Sequence, residues 1–180
     1  MSMNLPNKLT IMRAVMVPFF VAALLWKDGT IFSLRILALV LFCAASFTDY
    51  LDGHIARKYN LVTNFGKFMD PLADKILVLS AMCFLVEKGQ MPGWVMAIVL
   101  FREFAVSGLR LVAAEKQRVI AAAWSGKVKT TCTMVGLCFM LVFTQYPWLD
   151  MFVSAVILIT TVYSGVEYFL KNKDVFKDAD

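Results

Sequence analysis

Apolar residues gather into six blocks along the chain, at 14–26, 36–48, 76–86, 94–112, 134–143 and 149–169. Charge and turn-forming residues fall mostly between them, as in Lys27-Asp28-Gly29, the polar run ending in Met91-Pro92-Gly93, and Gln145-Tyr146-Pro147. A bilayer's hydrocarbon core takes about 20 mostly apolar helical residues. The second, third and fifth blocks fall short of that, so the pattern predicts that they recruit polar helix from their flanks and carry polar side chains into the membrane region. Ahead of the first block, Pro6 suits a first helical turn, and the mixed residues 8–13 read as a short interfacial helix feeding the first span. A basic start before an apolar run also has the look of a leader peptide, but five further blocks follow it. The expected architecture is an all-α integral membrane protein: six transmembrane helices with a short N-terminal interfacial helix, forming one domain over residues 1–180, without repeats or low-complexity segments.

Composition strengthens that expectation. Of 180 residues, 60% are hydrophobic and 17% charged, and the mean hydropathy is +0.71. Soluble domains average about 45–50% apolar and about 25% charged, so disorder is excluded and a water-soluble fold is disfavoured. Six spans of about 20 residues use most of the chain, leaving no room for a further soluble domain. The four cysteines, Cys43, Cys83, Cys132 and Cys138, lie in apolar runs without CxxC or metal-ligand spacing and read as reduced packing residues.

The net charge of +5 matters less than where its 18 basic residues stand. One set comprises Lys8 and Arg13; Arg57, Lys58, Lys67 and Lys75; Arg110, Lys116, Arg118, Lys127 and Lys129; and Lys171, Lys173 and Lys177. Against it stand Lys27, Arg35 and Lys88, with Arg102 inside the fourth block. By the positive-inside rule both termini and the two long polar connections are cytoplasmic. An even number of spans satisfies that, and the expected location is the cell (cytoplasmic or inner) membrane, multi-pass.

The densest chemistry lies in DYLDGHIARKYNLVTNFGKFMDPLAD, from Asp49 to Asp74. Asp49 and Asp52 are three apart and Asp70 and Asp74 four apart, so each pair shares a helical face if the second and third spans continue as helices. A short connection at 59–65 can bring the faces together at the cytoplasmic boundary. Four converging carboxylates repel one another in a partly desolvated site, and ionisable residues at membrane depth signal function. An all-oxygen donor set favours Mg2+ or Mn2+ over zinc, and four carboxylates suit two ions better than one. Gly53 and Ala56 clear space on the helix of the first pair, Arg57 can neutralise phosphate oxygens, and Gly66 opens the next helix beside Lys67. The set describes a diphosphate site. His54, the one histidine, has the wrong spacing from Asp52 to share its face and is not expected to ligate metal.

Asp49, Asp52, Gly53, Ala56, Arg57, Gly66, Asp70 and Asp74 together match the signature D-x2-D-G-x2-A-R-x8-G-x3-D-x3-D, and in this the chain resembles the CDP-alcohol phosphotransferase family. NLPNKLTIMR near the start, FREFAVSGLR in the fourth block and WSGKVKT before the fifth look like members that use glycerol 3-phosphate, so the similarity spans essentially the whole chain. The resemblance implies a six-helix membrane enzyme, commonly a homodimer, that transfers the phosphatidyl group of CDP-diacylglycerol to glycerol 3-phosphate and releases CMP. It further implies that Asp49, Asp52, Asp70 and Asp74 hold two divalent ions, that Asp74 is the general base, and that Gly53, Ala56, Arg57 and Gly66 line the CDP site with Thr63 and Lys67 nearby. Thr10 and Arg13 are weaker nucleotide contacts on the same grounds.

A dianionic acceptor needs its own cations. Arg110 and Lys127 are the expected pair, with Arg102 and Arg118 in reserve. Lys127 and Lys129 are two apart and cannot share a helical face, and WSGKVKT favours Lys127. Lys116 and Arg118 read better as lipid-headgroup contacts. Arg102 and Glu103 are adjacent and so point in different directions; a pairing or substrate role for them stays open. Two other readings stand beside this one: a family member with another acceptor (inositol phosphate, serine, choline or phosphatidylglycerol), and a small divalent-cation transporter. Transport sites usually lie near the bilayer midplane in repeated halves, whereas this acidic cluster occurs once and at the membrane edge.

Overall fold

Long runs of Leu, Ala, Met and Phe, interrupted by Gly and Pro at the turns, produce six α-helices in the computed structural model: α1 (Leu5–Leu25), α2 (Phe32–Lys58), α3 (Asn64–Glu87), α4 (Gly93–Glu115), α5 (Trp124–Val142) and α6 (Pro147–Lys171). A 3-10 turn, Lys173–Phe176, follows α6. The structure describes residues 5–26, 31–58, 64–115, 120 and 123–176, and among them no strand occurs. The side chains of 49–58 and 64–71 lie outside that description.

The short apolar blocks do borrow polar helix. Helix α2 runs through the aspartate-rich segment to Lys58, and α3 begins at Asn64, well before its apolar core. Two expectations change in detail. Among the described residues no separate helix precedes α1, which is one continuous helix from Leu5 in which Pro18 is accommodated. Asn64 and Phe65, expected in the connection, already belong to α3.

The chain divides into two compact units, Met1–Phe84 and Leu85–Asp180. In the first, α1 packs on α2. Phe20 and Phe42 meet with ring centroids 5.8 Å apart, and Leu24, Ala38 and Ala45 are buried with them. Thr10 and Arg13, one turn apart on α1, are also fully buried. In the second unit α6 packs on both α4 and α5. The α5–α6 approach is close: a Cβ on Gly136 would stand 2.6 Å from Val153 Cγ1. The α3–α4 turn reverses through Gly89 at φ 70°, a backbone conformation glycine adopts without penalty. At the opposite end of this unit, Val106, Leu109, Ala113 and Tyr168 form a buried cluster against Ile120, Ala123 and Phe169.

Much of the surface is apolar. Phe101, Phe104 and Leu111 of α4 and Ile159, Tyr163 and Leu170 of α6 are all exposed, Phe101 at 75%. Contiguous apolar surface on this scale marks a membrane or partner face. Among the described residues α6 is the helix long and apolar enough to cross a bilayer, and Thr10–Leu25 and Phe32–Thr48 are shorter apolar helical segments. Ser46, Thr130, Thr133 and Thr160 return their hydroxyls to backbone carbonyls of the preceding turn, which satisfies them inside an apolar helix. The four cysteines are unbridged.

Candidate functional site

Helical backbone through Asp49, Asp52, Gly53, Ala56 and Arg57 on α2, and through Gly66, Lys67, Asp70 and Asp74 on α3, gives the spacings their expected meaning. Each aspartate pair occupies one helical face. The helices are joined by residues 59–63, and at a maximum of about 3.5 Å per residue the end of α2 and the start of α3 lie within about 20 Å of each other. Asp74 is half-buried one residue from the buried Ala73 and three from the buried Leu77. The other side chains of the set fall outside the described residues, as does Thr63 entirely. As a donor set the segment offers carboxylate oxygens and no thiol or imidazole pair, which fits a hard divalent cation.

The second unit carries the cations expected for an acceptor, and the structure sorts them. Lys129, on α5, is buried at 5% exposure, and its Nζ donates to Glu103 Oε1 at 2.6 Å. Arg102 Nη1 donates to the same oxygen at 3.0 Å, and Nη2 donates to Ser164 Oγ on α6 at 2.6 Å. Adjacent residues on a helix diverge at Cβ, yet the long arginine folds back onto its neighbour. Gly165 gives that side chain its room, since a Cβ there would lie 3.1 Å from Arg102 Cγ. Glu103 thus ties α4 to α5, and Arg102 ties α4 to α6. Sequence spacing left this network open; the signal for it was an Arg-Glu pair inside an apolar block.

Arg110 and Lys127 are placed differently: both are exposed. Arg110 Nε donates to the Tyr168 hydroxyl at 2.7 Å, and its guanidinium carbon stands 5.3 Å from that ring's centroid. The buried Tyr168 therefore aims the arginine from α6. The cluster that holds Tyr168 also holds Ala123, the residue before α5, so Lys127 in the first turn of α5 lies at the same end of the unit. Lys116 and Arg118 lie outside the described residues.

A family model described as CDP-alcohol phosphatidyltransferase matches residues 3–165, across both units. The chain belongs to this family. The CDP-alcohol phosphatidyltransferases are membrane-embedded and generally depend on a divalent metal. The chain is 40% identical to the CDP-diacylglycerol--glycerol-3-phosphate 3-phosphatidyltransferase of Bacillus subtilis (strain 168), the match covering 98% of this chain and 99% of the relative. A 37% identity to the Escherichia coli (strain K12) protein of the same name covers 93% and 94%. A Mycobacterium tuberculosis (strain H37Rv) protein named as a probable phosphatidylglycerophosphate synthase is 40% identical over 92% of this chain and 79% of its own length.

Proposed function

We propose that this CDP-alcohol phosphatidyltransferase moves the phosphatidyl group of CDP-diacylglycerol onto the hydroxyl of glycerol 3-phosphate, yielding phosphatidylglycerophosphate and CMP for phosphatidylglycerol and cardiolipin synthesis. The observation that carries the reading is likeness along nearly the full length to relatives named for that reaction, together with the intact aspartate signature. A metal-dependent transferase, not a cation transporter, is the reading these likenesses support.

In this reading Asp49, Asp52, Asp70 and Asp74 hold two divalent ions, Mg2+ or Mn2+. When bound, such ions neutralise diphosphate oxygens and stabilise the charge left on departing CMP. Gly53, Ala56 and Gly66 leave clearance for the donor against the helix backbones, Arg57 and Lys67 face its phosphates, and Thr63 lies beside them. The Asp74 carboxylate accepts the proton of the acceptor hydroxyl as that oxygen attacks the donor's lipid-linked phosphorus. The bond from that phosphorus to the CMP oxygen breaks, and CMP leaves with the electron pair. No covalent enzyme intermediate is needed.

Arg110 and Lys127 bind the phosphate of the acceptor. Support comes from their exposure at one end of the second unit and from the occupation of Lys129 by Glu103. Arg110, braced by Tyr168 through Nε, offers a planar fork suited to a phosphate. The active site faces the cytoplasm of a multi-pass protein in the cytoplasmic (inner) membrane, among membrane lipids, and the working form is a homodimer.

Purified protein supplied with CDP-diacylglycerol, Mg2+ or Mn2+, and in turn glycerol 3-phosphate, inositol phosphate, serine, choline and phosphatidylglycerol tests the reading through CMP release. Release is expected with glycerol 3-phosphate alone. Faster release with another acceptor overturns the assignment.

A further inference from the structure

At the end of the second unit away from Arg110, a cavity of about 400 Å³ opens between the start of α4, with the turn that leads into it, and the first half of α6. Its walls are apolar, with Trp94 and Val95 from α4 and Met151, Ala155 and Leu158 from α6. Asp150 and Ser154, one helical turn apart, make its polar end; both are buried, at 7% and 3% exposure. Among the described residues Ser154 Oγ has no hydrogen-bond partner. Among the described residues, the donor to Asp150 is Gln90 Nε2, 3.3 Å from each carboxylate oxygen. Those contacts are long for hydrogen bonds, and the same Nε2 also reaches Met140 O at 3.3 Å. A buried carboxylate served by one shared neutral amide is under-compensated.

The exposed rings of Trp94, Tyr146 and Trp148 surround this end, and the last two pair at 6.4 Å between centroids. Such aromatic residues favour the headgroup level of a membrane. Arg110 lies roughly 25 Å farther along α4 at 1.5 Å per residue, so the cavity is separate from the proposed acceptor site.

We propose that this cavity is a lipid site for a phospholipid whose headgroup ends in a primary ammonium, the ammonium seated on Asp150 and Ser154 and an acyl chain lying along the α4–α6 wall. The match is one of charge and of count. An –NH3+ group carries three donors and no acceptor, and the polar end presents two carboxylate oxygens and one hydroxyl oxygen. A quaternary ammonium of equal charge has no proton to donate. The site rests on the family's membrane embedding, not on the acceptor assignment.

Native mass spectrometry of the full-length protein, titrated with phosphatidylethanolamine, phosphatidylcholine or phosphatidylglycerol of identical acyl chains, tests it. One phosphatidylethanolamine is expected to stay bound about tenfold more tightly than either other lipid, as befits a charge-assisted set of hydrogen bonds. Asp150→Asn and Ser154→Ala should each erode the preference, and Ala155→Trp, which fills the groove, should abolish retention. Thermal unfolding checks that each variant is folded; if Asp150→Asn fails that check, Ser154→Ala and Ala155→Trp decide. Equal retention of phosphatidylcholine, or an unchanged preference in the folded Ser154→Ala and Ala155→Trp variants, overturns the proposal.

Discussion

In Leu85–Asp180 unlike charges meet inside the protein: one Glu103 oxygen receives both Lys129 and Arg102, and Ser164 takes the remaining arginine donor. In Met1–Phe84 like charges share helical faces, Asp49 with Asp52 on α2 and Asp70 with Asp74 on α3. Like charges at those spacings destabilise a helix by a few tenths of a kcal/mol even in water, and by more as the surroundings dry. The difference teaches which charges serve the fold. A cluster in which opposite charges meet locks helices together, whereas a cluster of one sign persists when something outside the chain neutralises it. By that criterion Glu103 and Lys129 serve the fold, and the proposed role of the aspartates as holders of divalent ions is the one to test.

The largest expected effect is on the aspartate side. Asp74→Asn should lower CMP release by about 10²–10⁴-fold, the usual worth of a positioned base, while equilibrium retention of CDP-diacylglycerol changes little. Substantial turnover in that variant would remove Asp74 from the role of base.

On the other side, Glu103→Gln should cost stability first. The buried Lys129 and the half-buried Arg102 then lose their carboxylate, and breaking a buried group of this kind by removing one partner costs about 3–5 kcal/mol. Thermal unfolding in detergent measures it. Activity per folded molecule is expected to fall far less than in Asp74→Asn, and equal losses would erase the contrast between the units.

Arg110→Ala sharpens the comparison within the second unit. Loss of a charge-assisted contact is worth about 1.5–3 kcal/mol, so the KM for glycerol 3-phosphate should rise about tenfold or more with that for CDP-diacylglycerol nearly unchanged. Lys127→Ala should act in the same direction, while Lys129→Ala should lower the unfolding temperature instead. A smaller effect is expected from Gly136→Ala, whose new methyl would stand 2.6 Å from the stiff, β-branched Val153. Overpacking of this kind costs about 1–3 kcal/mol, read as a drop in unfolding temperature without a change in either KM.

Six apolar blocks became six helices because length and hydropathy act locally, and the shortness of the second and third blocks foretold their polar extensions. The continuity of α1 from Leu5 was harder to read. Its mixed residues 8–13 look interfacial in sequence, but Thr10 and Arg13 turn inward and are buried. The carboxylate spacing was legible because it is local to two helices. The sorting of Lys127 from Lys129 was half legible: two residues apart means different faces, but which face was filled depended on Glu103, a residue 26 positions away from Lys129. Arg102 and Glu103 show the limit of face arguments, since a flexible side chain can undo the divergence of adjacent Cβ atoms. Tyr168 as the brace of Arg110 arises from packing of α6 on α4 over 58 residues of sequence, which no motif announces.

Manganese binding followed by electron paramagnetic resonance tests most directly the claim that the aspartates, and not the mixed cluster, are neutralised from outside. Two Mn2+ per chain are expected for the wild type in the presence of CDP-diacylglycerol, with loss of tight binding in Asp70→Asn and Asp74→Asn and full binding in Glu103→Gln. Undiminished binding in the aspartate variants, or equal loss in Glu103→Gln, would contradict the account.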